Sequence, residues 1–156
     1  MAAIRDADYG KGDSAALIQA RKDASNFGND YVIFHWLYNT VNEGDIDGNW
    51  YIPSKNELRS LYAAMSGLTY EDIKTSWIDG GAMPNFDSAA ATAARNAFNE
   101  KMKNAGGTEF NLGGQYWAST EIDSQKAWSV HFGTGIMQNS KFKYDEWGRA
   151  RPVMEF

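Results

Sequence analysis

Apolar positions along the chain recur first at helical spacing and later at strand spacing. After Ser14, "AALIQARKDASNF" sets Leu17, Ile18 and Arg21 on neighbouring helical positions, which predicts a short helix capped by Ser14 and stopped at Gly28. In "NDYVIFHWLYNTVNEG" the run Val32, Ile33, Phe34 favours a strand, whereas Phe34, Leu37, Tyr38 and Val41 keep the i, i+3, i+4, i+7 spacing. The length and the capping pair Asn29–Asp30 decide for a helix. "WYIPSKNELRSLYAAM" is clearer: Ser54 and Glu57 form an S-x-x-E capping box, Ile52 precedes it, and Leu58, Leu61, Tyr62 and Met65 make a buried stripe behind it. "TYEDIKTSW" predicts a helical turn and "DGGAMPN" a loop. "DSAAATAARNAFNEKMKNAGG" predicts a long helix that starts at Asp87 or Ser88, ends at Gly106–Gly107 and carries Ala94, Phe98 and Met102 as one apolar stripe.

Past residue 107 the period shortens. "QYWAS", "KAWSVHF", "IMQNSKF" and "RARPVMEF" are short strands joined by polar turns, as in an antiparallel meander. In "AWSVHF" the period of two assigns Trp128, Val130 and Phe132 to one face and Ser129 and His131 to the other. Trp117 and Trp128, with strand parity and apolar neighbours, are expected in the core. Alternation assigns no faces in "GIMQNSKFK" or "WGRARPV".

Composition narrows the function. The 156 residues fit one domain spanning 1–156, and 43% hydrophobic with 14% aromatic residues suits a globular chain. A net charge of -5 opposes general attraction to nucleic acid or anionic lipid. No apolar run approaches the roughly 18 residues of a membrane span, and "MAAIRDADYGKGD" lacks the order of a signal peptide, so a soluble domain without membrane insertion is expected. With no cysteine, thiolate catalysis, disulfides and cysteine metal sites are absent, and His35 and His131 are the only imidazoles.

The candidate chemistry is thin. "EGDIDGNW" begins like a calcium loop at Asp45, Asp47 and Asn49, but Asn56 stands where the twelfth-position Glu is needed, so an Asx/Gly turn is expected. Glu57 reads as a helix cap before it reads as a catalytic acid. His35, between Phe34 and Trp36, is expected to be partly buried. His131 has no nucleophile motif beside it and suits ligand contact or solvation better than proton transfer. A glycosidase pair needs only two carboxylates across a cleft, and Asp123, Asp145 and Glu146 lie in the strand region, each in a polar turn. "GTG" at 133–135 lacks the Lys and helix of a phosphate loop. Trp147, in "YDEWGRA", is a candidate exposed stacking platform.

The series "WYIPSKNELRSLY", "AGGTEF", "QYWASTE", "AWSVHFGTG" and "ARPVMEF" resembles the bacterial and phage branch of the C-type-lectin-like superfamily, which includes major-paralogous-domain surface proteins and retroelement-diversified variable proteins. Residues 49–62 and 105–156 carry the match. The resemblance implies an α+β, C-type-lectin-like fold, with helices in the N-terminal two thirds and a short-stranded antiparallel sheet in the C-terminal third. It also implies that Trp117, Trp128, Val130, Phe132 and Val153 support a ligand surface within about 113–156. The implied contacts are Asp123, Gln125, Ser129, His131, Thr134, Gln138, Asn139, Tyr144, Trp147 and Arg149. The Glu-Pro-Asn and Trp-Asn-Asp calcium motifs of animal lectins are missing, as are the cysteines or three histidines of the superfamily's oxidases. The expectation is therefore a non-enzymatic recognition module without cofactor or metal, displayed on a bacterial surface or phage particle. Its partner would be a protein or glycan on another surface. A carbohydrate-active enzyme using paired carboxylates and an adhesive surface module are the alternatives.

Overall fold

A computed structural model describes residues 8–143 and 148–155. The chain is α+β, with helices early, and strands that form a two-stranded and a four-stranded sheet. Helix α1 (Gly10–Arg21) is followed by two short helices, α2 (Phe27–Asp30) and α3 (Val32–Trp36), and a π-helical turn over Leu37–Val41. Strand β1 (Trp50–Tyr51) leads into α4 (Lys55–Met65), then come α5 (Tyr70–Ile73) and α6 (Ala89–Asn104). Strands β2 (Gln115–Glu121), β3 (Ala127–His131), β4 (Met137–Gln138), β5 (Gly148–Arg149) and β6 (Val153–Met154) complete the chain.

The Ser54–Glu57 capping box forms as the sequence predicts: the Ser54 side chain accepts from Glu57 N–H and the Glu57 carboxylate accepts from Ser54 N–H at 2.7 Å. The same carboxylate oxygen also accepts from Gly10 N–H at 3.0 Å. One anion thus sits at the N-termini of both α1 and α4, where orphan amide donors and the helix dipoles favour negative charge. This moves the start of α1 ahead of the expected Ser14 cap. Ser14 lies inside the helix and is buried, and its hydroxyl accepts from Ile52 N–H at 3.1 Å. The helix also ends earlier than expected, since Gly28 falls within α2. Asn29 and Asp30 belong to α2 and cap nothing; the break lies at Tyr31, whose φ of -128° and ψ of 42° leave the helical region.

Helix α6 buries polar residues beside its apolar stripe. Its fully buried ridge is Ala91, Arg95 and Asn99, while Ala94, Phe98 and Met102 are half-buried. Polar groups occupy the ridge because they satisfy loop backbone: Arg95 donates to Phe86 O at 2.7 Å, and the Asn99 amide both accepts from and donates to the Phe110 main chain at 2.9 Å. Buried polar side chains are tolerated when paired in this way.

The four-stranded sheet has the order β4-β3-β2-β5 and is mixed. β2–β3 and β3–β4 are antiparallel, but β5 joins β2 in parallel. The expected meander fails at its last strand, because "RARPVMEF" divides. Arg149 belongs to β5, whereas Val153–Met154 cross to pair with β1, bringing residues 50–51 beside 153–154. One face of the sheet, with Tyr116, Ala118, Val130 and Met137, packs with Phe132 on Leu58, Tyr62 and Met65 of α4. Phe110 and Phe132 stack at 4.7 Å with an interplanar angle of 5°. A smaller core joins Leu17, Ile18, Phe27, Leu37 and Ile52.

Strand β2 slips register between Trp117 and Glu121. There its backbone turns to other partners: Ser119 N–H donates to Pro53 O at 2.9 Å, the Ser119 hydroxyl donates to buried Asp13 at 3.0 Å, and the Thr120 hydroxyl accepts from Lys55 N–H at 2.9 Å. The small hydroxyl residues of "QYWASTE" therefore stitch the sheet to the first turns of α1 and α4, a use of a bulge to re-aim side chains.

Candidate functional site

The expected contact residues divide between two ends of the sheet. At the β2–β3 turn, the Asp123 carboxylate accepts from the N–H groups of Gln125 and Lys126, both at 2.8 Å. These backbone donors, that of Gln125 foremost, hold its carboxyl below the usual carboxylate range. Lys143 pairs with Glu121, and its N–H donates to Gln125 O at 2.9 Å, so the segment after β4 is pinned along this turn. The Gln125 side chain points to solvent.

At the other end, His131 organises its own turn. Its Nδ1 accepts from Gly133 N–H at 3.2 Å and Thr134 N–H at 3.3 Å, and the Thr134 hydroxyl accepts from Ile136 N–H at 3.3 Å. An acceptor Nδ1 places the ring proton on Nε2 in the neutral form. Both residues are half-buried, and their polar atoms serve the turn before they serve a ligand. Arg149 is exposed, aligned with Tyr116, while His131 is aligned with Gln115, so alternation sets the two on opposite faces. The Arg149 guanidinium lies over Gly114, where a Cβ would stand 2.5 Å from Nη1.

Ser129 does not belong to the surface. It is fully buried, because its register partners, Trp117 on β2 and Gln138 on β4, enclose it on its own face. Trp117 is likewise buried, but on the face opposite Val130, resting on Gly148. Trp128 is only half-buried. Gln138 is half-buried, and Asn139, exposed, sits beside Gly80. Tyr144, Asp145, Glu146 and Trp147 lie outside the described residues. His35 is exposed rather than partly buried, its ring set edge-on to Phe27 at 5.4 Å.

Sequence reasoning missed one cluster. Asp79 bridges Lys55 at 2.9 Å and Arg59 at 2.7 Å, with the Lys55 ammonium 4.7 Å from the Trp128 ring centroid and the Arg59 guanidinium 5.2 Å from that of Trp77. The spacing of Lys55 and Arg59, one helical turn apart, is a visible signal; their partner in a loop twenty residues away is not. The "EGDIDGNW" segment is the expected Asx turn, with Asp45 accepting from Asp47 N–H at 3.0 Å.

Among the described residues of the sheet region, Glu121 is engaged by Lys143 and Asp123 by its turn. Among the described residues, no group of three or more His, Asp or Glu side chains is close enough to hold a metal ion, and no helix is long and apolar enough to cross a membrane. The chain matches no family model, no curated protein and no solved structure.

Proposed function

We propose that the chain is a non-enzymatic recognition module of C-type-lectin-like fold, displayed on a bacterial surface or phage particle, that binds a protein or glycan through its C-terminal strands and loops. The observation that carries this reading is the division of labour at the sheet. Asp123 satisfies the backbone of the turn that carries exposed Gln125, His131 satisfies that of its own turn, exposed Arg149 stands in β5 paired with β2, and exposed Asn139 directly follows β4. Fixed backbone with outward polar side chains lowers the ordering cost of binding.

The motifs behind the resemblance also touch one another, which supports the fold assignment. β1 pairs with β6, Ser119 reaches Pro53, and "QYWASTE" pairs with "AWSVH". The finer reading, a retroelement-diversified variable protein, requires a neighbouring reverse transcriptase and a near-copy of the 3' coding region that differs at adenines.

The test compares wild type with the triple variant Gln125→Ala, Asn139→Ala, Arg149→Ala on panels of bacterial cells and immobilised glycans. The triple variant should melt within about 2 °C of wild type, since exposed substitutions away from caps and cores change stability little. Its binding to whatever target wild type selects should fall at least about tenfold, or roughly 1.4 kcal/mol. Undiminished binding by a folded triple variant would place the ligand surface elsewhere.

A further inference from the structure

A second surface feature lies away from the sheet, between the π-helical turn and β1. A shallow groove of about 270 Å3, near the lower end of small-molecule pockets, is lined by Val41, Asn42, Glu43, Asp45, Trp50 and Met154 among others. Trp50 is 40% exposed there, although it stands in a strand paired with Met154. Its main chain is held from both sides by one amide: Asn42 Nδ2 donates to Trp50 O at 2.8 Å, and Trp50 N–H donates to Asn42 Oδ1 at 3.3 Å. The indole is therefore presented from fixed backbone.

The charged residues in its lining are both acidic. Between residues 23 and 54 the sequence has five Asp or Glu and no Lys or Arg, and two of those carboxylates, Glu43 and Asp45, line the groove. Asp47 follows on the same loop. Lys11 pairs with Glu155, the chain neighbour of Met154, at 3.2 Å.

We propose that this groove binds an organic ammonium group, with the cation over the Trp50 indole and Glu43 and Asp45 supplying counter-charge. An anion would meet two carboxylates. A divalent metal finds two carboxylates in the groove, and among the described residues no group of three or more His, Asp or Glu side chains could hold a metal ion. A neutral apolar ligand would desolvate the carboxylates without pairing them. An alkylated ammonium satisfies both halves of the lining, since its charge is attracted by the indole quadrupole and its carbon skirt covers Val41 and Met154. A quaternary ammonium and a lysine side chain share this chemistry.

The test uses the full chain labelled with 15N, with the Trp50 indole N–H signal assigned through Trp50→Phe. Choline chloride and N-acetyl-lysine methylamide are titrated at constant ionic strength, because exposed charge attraction is screened by salt, with methyl glucoside and potassium chloride as controls. At least one ammonium should shift the Trp50 indole and the amides of residues 42–49 along a saturating curve, and neither control should. Saturation by choline alone identifies a quaternary ligand; saturation by the lysine derivative identifies a basic side chain. The exposed double variant Glu43→Gln, Asp45→Asn should keep its dispersed spectrum and bind about tenfold more weakly. The proposal is overturned if neither ammonium saturates below 100 mM (about 1.4 kcal/mol of affinity), if methyl glucoside gives the saturating shift instead, or if the double variant binds as wild type does.

Discussion

Replacing Gly148 by alanine is expected to destabilise the protein by about 3 kcal/mol, the upper range for overpacking a well-filled site. A Cβ at this position would come no more than 2.5 Å from three atoms of the Trp117 indole, and that ring is itself buried at 6% exposure, so it has no room to retreat. The clash would separate β5 from β2, the one parallel pair of the sheet, or push Trp117 against Ser129, its partner across β3. Urea unfolding followed by tryptophan fluorescence should show a lowered midpoint with an unchanged slope. Gly113→Ala is the matched control: its Cβ would meet only Asn111 Oδ1 at 3.4 Å, and the change should stay within about 0.5 kcal/mol of wild type. Equal stability of the two variants would mean that Gly148 does not lie against Trp117.

The second large effect is expected at Glu57. Its carboxylate accepts from the amides of Ser54 and Gly10 and faces the Tyr51 hydroxyl, which donates to it at 3.4 Å, so Glu57→Ala removes the carboxylate half of the α4 capping box and the anchor of α1 together. Losing a cap costs about 1 kcal/mol and leaving a further amide unpaired costs about 1–3 kcal/mol, so a total of roughly 2–4 kcal/mol is expected. Glu57→Gln keeps one acceptor oxygen and should cost less than half of that. The same residue leaves an alkaline signature. Burial first, and then the Glu57 charge, push the Tyr51 phenol from its ordinary 10.0 up to about 12. The folded chain therefore keeps a proton that the unfolded chain releases, and stability present below pH 10 is lost as pH rises toward 12. Tyr51→Phe should flatten that part of the pH profile, and Glu57→Gln should shrink it. A profile identical in all three proteins would contradict the contact.

What the sequence made legible was local. Ser54 and Glu57 lie three residues apart, and a capping box needs nothing beyond that spacing. The second partner of Glu57, Gly10, lies 47 residues away, so the true start of α1 could not be read and Ser14 appeared to be the cap. The buried ridge of α6 was out of reach for a related reason. An apolar stripe reports only hydrophobic burial, whereas Arg95 and Asn99 are buried to satisfy loop carbonyls and amides that no local pattern announces. Alternation located Val130 and Phe132 correctly, but it treats the other face as open. Ser129 is closed in by Trp117 and Gln138, neighbours fixed by strand register rather than by sequence distance. Of the expected contact set, Gln125, Asn139 and Arg149 are exposed, Asp123, His131, Thr134 and Gln138 are half-buried, and Tyr144 and Trp147 lie outside the described residues.

The proposed recognition surface requires that binding residues and frame residues be separable. It is tested most directly by displaying a library randomised at Gln125, Asn139 and Arg149 beside one randomised at Ser129, Trp117 and Gly148, and measuring the share of clones that resist protease at room temperature. Most clones of the first library should stay resistant and yield binders to an arbitrary protein target, while the second should collapse, because its positions are packed against one another. A first library as protease-sensitive as the second, or a fully resistant one that never yields a binder, would contradict it.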